Sequence, residues 1–218
     1  MDNKIFILGV GHNTPVFINL AYDCGYDVVG LYHYNDDRTG EIDHGIKIIG
    51  SFDDLFSEGD LCHKNFMLSM GDNIIRAQLS DRILLLNGKV PSMIHPTAVI
   101  SRFTSIDSVG VYVSPFTYIQ ADTEIGRNSI ILSGVNISHT NKIGKNCFIA
   151  GGSTIGAYTE IDDFAFIGQG VLTISSKVPR IGHHAYIGAG SLLTKEVLPY
   201  NVVCGRPAKV IKINDKID

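Results

Sequence analysis

A glycine-containing turn near the N-terminus is the first segment whose residues could do chemistry. The segment Gly9-Val10-Gly11-His12-Asn13 follows a short apolar run and precedes a segment typical of a helix. Glycines at such a turn let backbone amides approach a phosphate at the start of a helix. The third glycine of a dinucleotide-binding fingerprint is missing, because Thr14 stands at its position. The turn predicts either an anion site or a turn needed only for packing.

A second polar segment lies 25 residues after Gly11, at Asn35-Asp36-Asp37. The carboxylate of Asp36 could accept hydrogen bonds from a base or a ribose, as acidic residues do at this distance from a glycine turn. A solvated acidic loop is the alternative interpretation.

Composition and charge exclude several classes of protein. The chain has 218 residues with 18 Lys and Arg against 22 Asp and Glu, which gives a net charge of −4. A general nucleic-acid or anionic-membrane binder would be basic, and no apolar run approaches the length of a membrane span. The four cysteines lie far apart without a CxxC pair, which argues against disulfides and structural zinc and favours a cytoplasmic location.

The elements that must position the glycine turn and the acidic segment alternate over residues 1–90. The pattern predicts strands at 4–8, 27–34, 46–49 and 66–69, with helices at 14–24 and 73–86. Alternating strands and helices form a parallel sheet whose ligand loops follow the carboxyl ends of the strands. We therefore expect a small Rossmann-like α/β domain.

Residues 91–218 contain a repeat with a period of six. A small residue usually follows each aliphatic residue by four positions, and glycine is frequent between them. A period of six fits neither a helix nor a plain strand, so it predicts a parallel β-helix with three hexapeptide faces in each 18-residue coil. The aliphatic residues are Ile94, Ile100, Ile106, Val113, Ile119, Ile125, Ile131, Ile137, Ile143, Ile149, Ile155, Ile161, Ile167, Ile181, Ile187 and Leu193.

The 18-residue coil has two consequences for candidate sites. His139 and Ala157 differ by one coil, so they should be adjacent. His139 and His183 differ by 44 residues, which is not a whole number of coils, so a zinc site built from three histidines is not expected.

Both halves together resemble the bacterial nucleotide-sugar and sialic-acid acyltransferases, which include the bacillosamine-type N-acetyltransferases. The resemblance rests on the glycine turn, Asn35-Asp36-Asp37, Met70-Gly71-Asp72-Asn73 with Arg76, Ile94-His95-Pro96-Thr97-Ala98, the hexads, and Gly205-Arg206-Pro207-Ala208-Lys209. It implies that the β-helix is left-handed, that a C-terminal cap follows it, and that the protein is a homotrimer.

The resemblance also implies a site. His139 corresponds to the histidine that takes a proton from the acceptor as acetyl-CoA is attacked, and imidazole titrates nearest neutral pH. The Ala157 amide would stabilise the oxyanion, and no metal is implied. Other acetyl-CoA contacts would come from Gln169, Ala189 and Lys209, and the nucleotide sugar would be bound by Gly9, Gly11, His12, Asn13, Asn35, Asp36, Asp37, Gly71 and Asn73.

The sequence departs from the family pattern at two positions beside this histidine. Thr140 stands where relatives commonly place a carboxylate that orients the histidine, and Phe148 replaces a second histidine. Asp122, one coil before Thr140, or Asn141 could take the orienting role, or the role could be absent.

We therefore expect an acetyl-CoA-dependent N-acetyltransferase. Its substrate would be a dTDP-, UDP- or GDP-linked 4-amino-4,6-dideoxyhexose used for surface polysaccharide such as lipopolysaccharide. One alternative is O-acetylation of a sialic acid or another sugar on the same scaffold. The other is a non-catalytic nucleotide-sugar-binding protein, which the missing carboxylate and Phe148 motivate.

Overall fold

The computed structural model describes residues 3–214. The chain divides after His95 into two compact units.

The first unit is a five-stranded sheet with three α-helices. The strands lie in the order β3-β4-β2-β1-β5, and all pair in parallel except the edge strand β3. The elements are β1 (Lys4–Leu8), α1 (Thr14–Asp23), β2 (Asp27–His33), a 3₁₀ turn (Asp36–Arg38), β3 (Ile42–Asp43), β4 (Ile46–Ser51), α2 (Phe52–Ser57), β5 (Phe66–Leu68), α3 (Asn73–Leu85) and β6 (Met93–Ile94).

All six elements predicted in this unit are present, with ends that differ by at most two residues. Helix α2 was not predicted. It begins at a capping box in which Ser51 Oγ accepts from the Asp54 amide and Asp54 Oδ2 accepts from the Ser51 amide. The hydrogen bonds that the Asp54 carboxylate accepts, from the Ser51 amide first and from the Ser51 hydroxyl second, lower the pKa of this carboxyl. The pattern Ser-Phe-Asp-Asp is the sequence signal for this helix start.

The second unit is a succession of short strands in three parallel sheets. The first sheet has the order β22-β19-β16-β13-β10-β7, the second β20-β17-β14-β11-β8, and the third contains β24-β23-β21-β18-β15-β12-β9, with only β24 antiparallel. The strands are β7 (Val99–Ile100), β8 (Ser105–Ile106), β9 (Tyr112–Val113), β10 (Tyr118–Ile119), β11 (Glu124–Ile125), β12 (Ile130–Ile131), β13 (Asn136–Ile137), β14 (Lys142–Ile143), β15 (Phe148–Ile149), β16 (Thr154–Ile155), β17 (Glu160–Ile161), β18 (Phe166–Ile167), β19 (Leu172–Thr173), β20 (Arg180–Ile181), β21 (Tyr186–Ile187), β22 (Leu192–Leu193), β23 (Asn201–Gly205) and β24 (Ala208–Ile213).

The strand register confirms the 18-residue coil. Ile119 pairs with Ile137, which pairs with Ile155, so these strands lie beside the strand 18 residues later. The step is 19 in the first coil, where Ile100 pairs with Ile119. The step increases to 20 where Glu160 pairs with Arg180, because the corner between β19 and β20 holds two additional residues.

The hexad aliphatics from Val113 to Leu193 fill the interior of this unit, and all are buried. Ile100 and Ile106, in the first coil, are partly buried against the same core. Ile94 departs from the prediction that it faces inward, since 40% of it is exposed. Met93, the other residue of that strand, is buried.

The small residues that stand four positions after the hexad aliphatics connect successive coils through hydrogen bonds. Buried hydroxyls donate to carbonyl oxygens 15 residues later, from Thr123 to Ser138 at 3.2 Å and from Ser153 to Gly168 at 2.9 Å. Cys147 is fully buried in this register, as predicted for a core thiol. Small side chains with a hydroxyl therefore fill the wall and satisfy its buried carbonyl groups.

The corners between the sheets need a left-handed backbone residue in each hexad. In one corner column the residues with positive φ are Asp122, Thr140, Tyr158 and Ser176. In another column glycine is repeated, at positions 134, 152, 170 and 190. Glycine adopts this conformation without steric cost, which accounts for the glycine excess in the repeat.

The outer face of the second sheet carries alternating charges. Glu124, Lys142, Glu160 and Arg180 lie in successive strands in direct register. Opposite charges directly across from each other favour this register over a slipped one.

Replacement of an inward aliphatic should be far more costly than replacement of an outward one. We expect Ile155→Ala, in the fully buried column, to lower the free energy of unfolding by about 2–5 kcal/mol. Ile211→Ala, at a residue that is 61% exposed in the same unit, should change it by less than about 0.5 kcal/mol. Urea denaturation of both variants checks this, and equal losses would contradict the assignment of the core.

Candidate active site

The exposed imidazole of His139 lies at the corner between β13 and β14. Its Nδ1 atom is 3.0 Å from Oγ1 of Thr140. The ring of Tyr158, one coil later, packs edge-on against it with centroids 5.2 Å apart and planes at 89°. Two neighbours thus fix the ring, and Nε2 has no hydrogen-bond partner within residues 3–214.

Neither of the two residues proposed to orient His139 forms a hydrogen bond with its imidazole within residues 3–214. Asn141 is buried, and its Nδ2 donates to the Ser138 carbonyl at 2.7 Å while its Oδ1 accepts from the Thr159 amide at 2.7 Å. Asp122 is exposed on the preceding coil, and no hydrogen bond joins it to the imidazole in the described part of the chain. The side chain in contact with Nδ1 is that of Thr140.

Ala157 lies one coil beyond His139, as the 18-residue step requires. Its amide donates a 3.0 Å hydrogen bond to Oγ of Ser175, the exposed residue one coil further on. The amide that the resemblance assigns to the oxyanion therefore already has an acceptor in this chain.

The other residues expected to contact acetyl-CoA belong to a different part of the coil. Gln169 and Ala189 are exposed at the corner that joins the third sheet to the first, whereas His139 and Ala157 lie at the corner that joins the first to the second. Lys209 is exposed on β24, opposite Cys204 of β23. A single copy of this unit does not bring these three residues to the His139 corner.

In the first unit, the glycine turn follows β1 at the carboxyl edge of the sheet. Gly9 has φ +100°, and a Cβ atom there would lie 2.8 Å from Oγ of Ser69. The Ser69 hydroxyl donates to the Gly9 carbonyl at 2.7 Å. Only glycine fits this position, because both the backbone conformation and the space exclude a side chain.

Thr14 closes the glycine turn. Its buried hydroxyl accepts from the Gly11 amide at 2.7 Å and contacts the Gly9 carbonyl at 3.2 Å. The Gly9 amide donates to Tyr32 at 2.9 Å, so neither glycine amide is available to a phosphate. The amides of the exposed His12 and Asn13 donate to no group in the described part of the chain.

The acidic segment begins two residues after β2, at the same edge. Asn35 accepts from Nδ1 of His33 at 2.8 Å and donates to Asp37 at 2.6 Å. These bonds hold the segment in place, while Asp36 is exposed at the start of the 3₁₀ turn. An exposed carboxylate at the end of a parallel strand can accept hydrogen bonds from a ligand.

The segment after β5 supplies the third part of this edge. Asp72 caps α3 through hydrogen bonds from the amides of Ile74 and Ile75. The guanidinium of Arg76 is fully buried and donates to the Met70 carbonyl and to Oδ1 of Asn73. Arg76 thereby shapes the loop in which Gly71 is exposed.

Four residues in these two sites were not assigned from the sequence: Thr140, Tyr158, Thr14 and Arg76. The 18-residue step from Thr140 leads to Tyr158 and would have identified it. Thr14 was noted only as a missing glycine, and Arg76 only as part of a motif. No group of metal-ligating side chains occurs within residues 3–214. In the same residues, no helix is both long and apolar enough to cross a membrane.

The structure thus combines six-residue steps through three parallel sheets with a histidine exposed at one corner. A search with protein-family models finds no match. The chain is 31% identical over 210 residues to the GDP-perosamine N-acetyltransferase of Escherichia coli O157:H7, and the match covers 93% of this chain and 92% of that protein. The chain belongs to the sugar N-acetyltransferases of the hexapeptide-repeat family.

Two solved structures resemble this one over nearly its whole length. PerB from Caulobacter crescentus, solved in complex with CoA and GDP-perosamine, is 26% identical with a TM-score of 0.85, and the match covers 96% of this chain and 97% of that one. WeeI from Acinetobacter baumannii has a TM-score of 0.84 at 21% identity, covering 95% of this chain and 100% of that one, which is a likeness of fold.

The inward orientation of Asn141 gives a stability prediction. Asn141→Ala removes the partners of the Ser138 carbonyl and the Thr159 amide, so the free energy of unfolding should fall by about 1–3 kcal/mol. Asp122 is an exposed corner residue with a left-handed backbone, a conformation that asparagine tolerates as well as aspartate does. Asp122→Asn should therefore have almost no effect on the free energy of unfolding. Chemical denaturation of both variants tests this. An Asn141→Ala variant as stable as the unsubstituted protein would contradict the structural role of Asn141.

Proposed function

We propose that this protein is an acetyl-CoA-dependent N-acetyltransferase whose acceptor is the amine of a nucleotide-linked 4-amino-4,6-dideoxyhexose. The observation that carries the proposal is His139, exposed at a coil corner with Nδ1 engaged and with no hydrogen bond from Nε2 to any group of residues 3–214. The likeness to GDP-perosamine N-acetyltransferase over 93% of the chain supports the reaction and favours GDP as the nucleotide.

The chemistry needs one base. The amine nitrogen attacks the thioester carbonyl, and Nε2 of His139 takes the amine proton as the tetrahedral intermediate forms. Collapse of the intermediate breaks the carbon–sulfur bond, and the proton passes to the CoA thiolate. A thiol has a pKa near 8.5, so the leaving group needs no strong general acid.

The backbone amide of Ala157 is the proposed oxyanion donor. It lies one coil from His139, and the hydroxyl of Ser175 that it now contacts can rotate away. The Ala157 amide then has a hydrogen-bond acceptor whether or not substrate is bound. Because the backbone holds this amide in a fixed position, it stabilises the negative charge that develops on the thioester oxygen.

The nucleotide is proposed to bind at the carboxyl edge of the first sheet. The amides of His12 and Asn13 would contact the diphosphate, and Asp36 would accept from the ribose or base. Gly9, Gly11, Asn35, Asp37, Gly71 and Asn73 would shape the loops around these contacts.

The coil unit is proposed to be a left-handed β-helix with a C-terminal cap, and the working form a homotrimer. Gln169 and Ala189 lie at a different corner from His139, so they complete an acetyl-CoA site only if another copy presents them. Lys209 on β24 would contact a phosphate of the coenzyme. The product would serve lipopolysaccharide synthesis in the cytoplasm.

Removal of the base should abolish turnover while the fold persists. We expect His139→Asn to lower kcat at least about 100-fold in a thiol-release assay with acetyl-CoA and GDP-perosamine. The imidazole is exposed, so the melting temperature should change little. Unchanged kcat would remove His139 from the role of general base.

The nucleotide site can be tested at Gly9. Gly9→Ala places a methyl group against Ser69 and displaces the turn, so KM for the nucleotide sugar should rise about tenfold or more with KM for acetyl-CoA unchanged. Gly25→Ala is the matched control, because Gly25 also has positive φ but lies between α1 and β2, at the opposite edge of the sheet, with open space around it. Equal effects of both variants would show general strain and contradict the assignment.

A further inference from the structure

The hydroxyl of Thr140 is the hydrogen-bond partner of the His139 imidazole. Oγ1 lies 3.0 Å from Nδ1, and within residues 3–214 His139 has no other hydrogen bond. An imidazole that donates from Nδ1 carries its lone pair on Nε2. The Thr140 hydroxyl can accept from Nδ1–H or donate to Nδ1, and only when it accepts does Nε2 carry the lone pair that takes a proton.

The backbone of Thr140 is strained. Its φ is +58°, in the left-handed region that is sterically unfavourable for a β-branched residue. Asp122 occupies the same corner one coil earlier and tolerates this conformation more readily. Strain of this kind persists where the surrounding structure or a function requires the particular residue.

We propose that Thr140 is the positioning residue of the general base, holding Nδ1–H of His139 with a neutral acceptor. This inference rests on the proposed function and adds what sets the tautomer and orientation of the ring. A carboxylate in this position would stabilise the protonated imidazole by its charge. A hydroxyl orients the ring without adding a charge beside it.

Several charged groups face this corner and belong to the same electrostatic environment. A shallow groove beside Thr140 is lined by Asp122 and Glu124 from the preceding coil, Lys142 from β14, and Tyr158 and Glu160 from the following coil. None of them forms a hydrogen bond with His139 in the described part of the chain. The Thr140 hydroxyl is thus the hydrogen-bond partner of Nδ1 within residues 3–214, and its replacement leaves the surrounding charges unchanged.

The test compares three replacements of Thr140 in the full chain. Thr140→Val keeps the β-branched shape and removes the acceptor, so kcat should fall about tenfold with both KM values within about twofold. Thr140→Ser keeps the hydroxyl and should retain kcat within about twofold. Melting temperatures check that all variants fold.

Thr140→Asp tests the contact with His139 through the pH profile of kcat/KM, which a purely structural role of Thr140 would not change. The added carboxylate stabilises protonated His139, so the acid limb of the kcat/KM profile should move to higher pH by about one unit. Full activity of Thr140→Val, or an unshifted profile for folded Thr140→Asp, would overturn the inference. Full activity of His139→Asn would instead contradict the proposed function, so the two failures are distinguishable.

Discussion

The second half of the molecule depends on one constraint, which is that every sixth residue must enter a narrow interior while the chain turns between such residues. Aliphatic side chains such as Ile137 and Ile155 fill the interior, and a left-handed residue makes each corner. Because strands pair with the strand one coil later, residues 18 apart become neighbours. This stacking places Ala157 one coil beyond His139 and brings Tyr158 against its ring, so the hydrophobic period also assembles the site.

In the first unit, the pairing of parallel strands brings the candidate binding segments together. Parallel pairing of β1, β2 and β5 brings the segments that follow them to one edge of the sheet. Buried polar groups then fix the loops, with Thr14 holding the glycine turn and Arg76 holding the segment after β5. Rigid loops of this kind can offer amides and carboxylates to a ligand without a large ordering cost on binding.

Much of the fold could be predicted from the sequence because its signals are periodic. The hexad aliphatics from Val113 onward are buried as expected, whereas Ile94 is exposed, since the period begins before the coil is established. The side chains around His139 were less predictable. Asn141 lies in the inward register and was proposed as an orienting residue, yet it bonds to Ser138 and Thr159 inside the coil. Thr140 departs from the family pattern, and the sequence alone does not show that its hydroxyl lies beside Nδ1 of His139.

The central claim is acetyl transfer from acetyl-CoA to the amine of a nucleotide-linked amino sugar. The most direct measurement is thiol release from acetyl-CoA over a panel of GDP-, UDP- and dTDP-linked 4-amino sugars and free sialic acid, with mass spectrometry and NMR of the product. We expect release of one thiol for each N-acetyl amide formed on a nucleotide sugar. Acetylation of a sialic-acid hydroxyl, or nucleotide-sugar binding without thiol release from any acceptor, would contradict it.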